Sequence, residues 1–204
     1  MKMIIIGAIL AMALSGCSPT NIAGTPSAPT VTDDPTFRDY KLRFFNYGYQ
    51  VLNVDLSGDD TPIAFDSIEQ ADEDVIAACV MYKSGNRVVS KFILVRPDAW
   101  ITMNDTEAEI TINHELGHCN LWRDHIEQAT LGVPDSIMYP RILDPTLYQS
   151  RLTEYVRELF ENSGLGQSYL SAISGKKLHK LTHVLKRDGS CGVIEEEVST
   201  PDSI

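Results

Sequence analysis

Apolar residues recur along the chain with two periods, and the change from one to the other marks out its elements. Over residues 37–51, Phe37, Tyr40, Phe44 and Tyr47 fall at helical spacing, and Leu42 and Phe45 widen the apolar side. This predicts an amphipathic helix with Lys41 and Arg43 toward water. Residues 61–67, 75–82 and 87–95 are rich in β-formers and predict strands of one sheet, with Lys83-Ser84-Gly85-Asn86 as a hairpin turn between the last two. Pro97, Asp98 and Trp100 then break the pattern. Residues 106–113 read as the first turns of a second helix, with Asp105 as N-cap, acids in the opening turn, and Ile110, Leu116 and Leu121 on the buried side. Residues 147–160 carry Leu147, Leu152, Tyr155, Val156, Leu159 and Phe160 at the same spacing and predict a C-terminal helix. Beyond residue 164 the pattern weakens. Residues 184–194 read as a hairpin about Asp188-Gly189, and the acidic end from Glu195 as frayed.

The start of the chain reads differently. Met1-Lys2 precedes an apolar run from Met3 to Leu14, too short to span a bilayer, which predicts a signal peptide over residues 1–16. It ends in Leu14-Ser15-Gly16-Cys17, which looks like a lipobox, so Cys17 is the expected lipidated N-terminus. Ser18 after it points to the outer membrane of a bacterial envelope. Residues 17–34 are rich in Ser, Thr, Pro, Ala and Gly and predict a flexible tether, at roughly 3 Å per residue when extended. The rest divides into one catalytic domain over 35–163 and an extension over 164–204. A net charge of -11 argues against nucleic acid as a partner and confines the basic stretch around Lys176, Lys177, Lys180, Lys186 and Arg187 to a local surface.

Chemistry concentrates in residues 114–125, which hold three of the five histidines. His114 and His118, four apart on a helix, turn two imidazoles toward one point, as zinc requires. Glu115 sits beside that point and is placed to take a proton from a water that the metal activates and pass it to a leaving amine. This is the HExxH arrangement.

His114-Glu115-Leu116-Gly117-His118, together with Ser136-Ile137-Met138-Tyr139-Pro140, resembles the metzincin clan of zinc peptidases, whose signature is HExxHxxGxxH followed by a methionine-containing turn. The Met-Tyr-Pro order is similar to that of matrixins. The resemblance implies a small α+β domain of zincin type, with a twisted mixed sheet packed on the active-site helix and a C-terminal helix. It also implies Zn2+ as cofactor, Glu115 as general base and acid, Met138 as the Met-turn residue and a peptide or protein as substrate. Two departures stand out: Leu121 holds the usual glycine position, and the last histidine comes one residue late, leaving Asp124 in the register of the third ligand. His125 is the expected third ligand because an imidazole suits zinc and one extra residue in the following loop is easily absorbed; Asp124 is the alternative. Within enzymes the competing site takes its third ligand from Glu154 or Glu158, as in gluzincins.

Without Cys17, Cys79, Cys119 and Cys191 remain. A Cys79–Cys119 bridge would fix the zinc helix to the sheet; two free buried cysteines are the other possibility, because sequence does not supply the geometry. His179 and His183 also stand four apart, but among lysines, and read as a solvated segment. The expectation is a monomeric, lipid-anchored zinc endopeptidase of the bacterial envelope, with a non-catalytic lipoprotein using the same shape as a binding module as the alternative.

Overall fold

The computed structural model describes residues 29–68, 74–84, 87–163, 178–188 and 190–198. The expected signal peptide, Cys17 and most of the tether lie outside them. The described residues form an α+β arrangement of zincin-like layout, in which a five-stranded sheet covers one side of the histidine-bearing helix and further helices cover the other.

The first helix, α1, spans Arg38–Leu52 and follows a short turn that Asp34 opens by accepting a hydrogen bond from the Thr36 amide. Two of its charged residues, Lys41 and Arg43, do not simply face water as predicted. Lys41 is buried and pairs with Asp33 at 2.7 Å and Asp60 at 2.6 Å, while Arg43 reaches Glu109 at 3.0 Å. A lysine stem lies well along apolar surface when its ammonium finds carboxylates at the end, so α1 is held at its rim by charge as well as by Phe44 within.

Strands β1 (Ile63–Phe65), β2 (Val75–Ser84) and β3 (Arg87–Val95) answer the three predicted strands. β1 runs parallel to β3, and β2 pairs antiparallel with β3 through Ser84 opposite Arg87, where the hairpin was expected. A short α2 (Pro97–Trp100) takes up the break that proline makes.

The helix carrying the motif, α3, spans Asp105–Leu121. Its N-cap is Asn104 rather than Asp105. The Asn104 side chain accepts from the Thr106 and Glu107 amides, and Glu107 returns the bond to the Asn104 amide at 2.9 Å, closing a capping box. Asp105 is thereby left to accept from the Tyr40 hydroxyl at 2.8 Å. The predicted buried side was too narrow, since residues 108–121 are buried all the way round. A helix so enclosed must satisfy its polar side chains internally. Glu109 accepts from the Tyr47 and Tyr148 hydroxyls, Asn113 donates to the Tyr148 oxygen, and Asn120 accepts from Thr61 at 2.7 Å.

The C-terminal helix is two pieces, α4 (Pro145–Ser150), capped by Asp144, and α5 (Leu152–Glu161), broken at Arg151. Residues 178–198, beyond the stretch expected to hold the catalytic domain, continue the same sheet. β6 (Leu178–Lys186) pairs antiparallel with β2, and β7 (Cys191–Val198) pairs with β6. The turn between them holds Arg187 and Asp188, while Gly189, the second residue of the expected turn, lies outside the described residues; Glu195 and Glu196 are strand residues rather than a frayed end, with Glu196 3.4 Å from Lys180 on β6. A two-residue-strand hairpin, β4 (Ala129–Thr130) with β5 (Val133–Pro134), turns through Leu131 and Gly132, both at positive φ.

Cys79 on β2 and Cys119 on α3 are joined by a disulfide, with Cα atoms 5.8 Å apart. Their separation of 40 residues makes the bridge worth about 4 kcal/mol in the chain-entropy account of cross-links. Replacing both cysteines by alanine is therefore expected to lower the stability measured by urea denaturation by about 2–4 kcal/mol. An unchanged midpoint would mean that the bridge does not hold α3 to the sheet.

Candidate metal centre

Three imidazoles converge at the C-terminal half of α3. The Nε2 atom of His118 lies 3.1 Å from Nε2 of His114 and 3.1 Å from Nε2 of His125, and the ligand atoms of the three are all within 4.8 Å of one another. His114 and His118 come to one point because they lie four apart on one helix face.

Their other ring nitrogens decide what that point is. Nδ1 of His114 donates to the Ile137 carbonyl at 2.9 Å, and Nδ1 of His118 donates to the Arg123 carbonyl at 2.6 Å. A carbonyl only accepts, so the ring proton is on Nδ1 in both. Burial holds both rings neutral: His114 is pushed down to about 3, chiefly by desolvation with the neighbouring histidines adding to it, and His118 well below its ordinary value. Both Nε2 atoms are then bare lone pairs facing each other with no proton between them. That contact is repulsive until a cation stands there, and in a tetrahedral zinc site with bonds of 2.0–2.1 Å two nitrogens lie about 3.3 Å apart. The donor set fits a zinc ion.

His125 reaches the cluster because the helix runs one residue longer than the resembled motif allows. Leu121, in the glycine position, is still helical; the left-handed break falls on Trp122 at φ 57, whose amide, like that of Arg123, donates to the Gly117 carbonyl. The extra residue predicted for the loop is thus absorbed by the helix end, and the third histidine moves with it. Asp124 is exposed and outside the cluster. Glu158 and Glu154 are also outside it: the first pairs with Arg123 at 2.5 Å and the second with Arg151 at 2.6 Å.

Glu115 is fully buried beside the histidines, and neither carboxylate oxygen has a hydrogen-bond partner. Burial raises it from 4.5 to about 8, with the nearby Cys79 backbone opposing only part of the shift. An enclosed carboxyl of this kind is poised to exchange a proton near neutral pH.

Met138 is buried under the centre, where its carbonyl accepts from the Ile126 amide at 2.8 Å and its own amide donates to the Ser136 hydroxyl oxygen at 3.0 Å. A Cβ at Gly117 would collide with the Met138 sulfur, so the glycine inside the motif is what lets the turn pass beneath the helix.

Three residues near the centre escape the sequence reading. Arg123 donates to the Glu158 and Leu159 carbonyls at the end of α5, a cation at a helix C-terminus, and its own carbonyl orients His118. His183, taken for a solvated residue, is buried on β6 and stacks on His118 with ring centres 4.2 Å apart at 21°. Cys191 on β7 places its sulfur 3.4 Å from Nε2 of His114. Burial and the charge of Glu115 push that thiol well above the usual range. The alternation Leu181, His183, Leu185 was a legible strand signal, and the surrounding lysines concealed it. The side chain of His179 lies outside the described residues.

The pH dependence of the metal-free chain follows from these burials. Folded values below the ordinary 6.5 mean that His114, His118, His125 and His183 contribute stability above pH 6.5, which is lost as pH falls through their lowered values. Glu115, raised from 4.5 to about 8, has the opposite sign, with its contribution lost as pH rises through 8. Four groups outweigh one in the acid window, so the denaturation midpoint should fall from pH 6.5 to 4, and Glu115→Gln should remove a smaller loss on the alkaline side. A midpoint that rises toward pH 4 contradicts the burial of the imidazoles. Comparison with protein-family models, with curated proteins and with solved structures returned no match to this chain, so its functional assignment rests on the geometry above.

Proposed function

We propose that this chain is a zinc endopeptidase of metzincin type, anchored to a bacterial envelope membrane through Cys17 and acting on peptide or protein substrates. The observation that carries the reading is a buried, unpartnered carboxylate, Glu115, set next to three histidines whose free nitrogens converge. A purely structural zinc site has no use for such a base.

His114, His118 and His125 would hold the metal, their orientation fixed by the Ile137 and Arg123 carbonyls on two of them. Zinc supplies Lewis acidity, polarising the scissile carbonyl and lowering the pKa of water to about 7. Glu115 carries the proton from the attacking water to the departing amine nitrogen. Its burial raises its affinity for that proton, which suits the intermediate state in which it is held. Met138 supports the floor through Gly117. Cys17 and the tether over residues 17–34 would hold the domain near the membrane, on the outer-membrane side that Ser18 indicates.

Glu115→Ala separates base from ligands. The full chain loaded with zinc should cleave an unstructured protein and lose that activity to a chelator, and the variant should lose roughly 10²- to 10⁴-fold in turnover with zinc still bound. Equal inactivity of wild type and variant on a broad peptide library, with zinc fully loaded, would overturn the peptidase reading in favour of a binding module.

A further inference from the structure

The edge of β2 that is not paired with β3 runs past the metal centre, since Cys79 on it is bonded to Cys119, the neighbour of His118. An extended peptide pairing with that edge would be drawn across the three histidines, in the manner of strand addition. The chain has already filled this edge itself. β6 pairs with β2 from Val75 opposite Lys186 to Ser84 opposite Leu178. Residues alternate between faces along a strand, and the register of Cys79 with His183 and of Leu185 with Cys191 puts His183 and Cys191 on the face that looks at α3.

Both side chains end at the centre. His183 covers His118 face to face, and the pocket left beside them, lined by Lys83, His118, Trp122, Asp124 and His183 among others, has a volume of about 10 Å³. That is room for no more than one water. Cys191, whose sulfur is 3.4 Å from Nε2 of His114, is the free cysteine of the described residues. Nitrogen and sulfur ligands on one tetrahedral zinc, at 2.0–2.1 and 2.3 Å from the ion, lie roughly 3.5 Å apart. The sulfur stands outside the set of atoms within 4.8 Å of one another, so full ligation requires it to come closer to His118 or His125. Glu115 is buried with both oxygens unpartnered.

We infer that the β6–β7 hairpin is a stopper built into the chain: Cys191 is a fourth ligand of the metal, and β6 occupies the sheet edge that substrate needs. The ligand half rests on geometry alone, and the stopper half rests on the peptidase reading above. Opening the site requires the hairpin to leave β2; the closed form opens for part of the time, which leaves the zinc-loaded chain the cleavage expected of it above, and removing the sulfur ligand raises that open fraction.

Cobalt(II) tests this on the full chain carrying Cys17→Ser, in which Cys191 is left as the one thiol once Cys79 and Cys119 are paired. The cobalt-loaded protein should show a near-ultraviolet thiolate-to-cobalt charge-transfer band. Adding Cys191→Ser should abolish the band, keep the visible cobalt bands of the three histidines, and raise peptide hydrolysis by the zinc-loaded chain about tenfold or more, as the competent fraction rises. A cobalt-loaded chain without the charge-transfer band overturns the inference whether or not the variant folds. A band lost in the variant, with both proteins cleaving peptide equally fast, overturns the stopper. A band lost in the variant with neither protein cleaving peptide keeps Cys191 as a ligand and instead defeats the peptidase reading.

Discussion

The arrangement turns on three imidazole nitrogens brought together in a buried place, with the ring protons of two of them, His114 and His118, pointed away. Two backbone carbonyls, of Ile137 and Arg123, each take the Nδ1 proton of a histidine, which leaves the opposite nitrogen bare. The lone pairs of His114 and His118, 3.1 Å apart, repel, and burial denies them the protons that would relieve the repulsion. A divalent cation relieves it. The cost of assembling the site in the absence of metal must be met by the surrounding fold, and much of the structure can be read as meeting it.

Each carbonyl is itself held. The Ile137 carbonyl belongs to the turn that carries Met138, which packs into the gap left by Gly117, and the Arg123 carbonyl is fixed because its guanidinium is bonded to the end of α5. The Cys79–Cys119 bridge ties the helix of the ligands to the strand above it, so neither layer slides over the other. The polar side chains that burial of α3 would otherwise strand are paired one by one, Glu109 with two tyrosines and Asn120 with Thr61. Asn113 leaves its Oδ1 without a partner, and Glu115, beside the ligands, leaves both of its oxygens so. A buried carboxyl without partners is costly to ionise, and it is tolerated where chemistry needs it.

Local sequence carried the elements whose signals are local. Periodicity placed α1 and the three strands β1 to β3 close to their observed spans, and the four-residue spacing of His114 and His118 marked the centre. What the sequence hid depends on partners far along the chain. Lys41 looked solvated because Asp33 and Asp60 flank it only after folding, and His183 looked solvated because it stands among lysines in the sequence, while its ring meets His118 in the fold. The place of Cys191 could not be read at all without the register of β7 on β6 and of β6 on β2. The helix cap moved by one residue, from Asp105 to Asn104, because either side chain can cap and only the backbone at Asn104 is extended.

The central claim is that His114, His118 and His125 bind a single metal ion and that Asp124 does not. Zinc titration of the metal-free full chain tests it most directly, comparing wild type with His125→Ala and Asp124→Ala. One tight equivalent in wild type, weakened strongly by His125→Ala and little changed by Asp124→Ala, is the expected result. No tight equivalent in wild type, or an affinity that His125→Ala leaves intact, would contradict it.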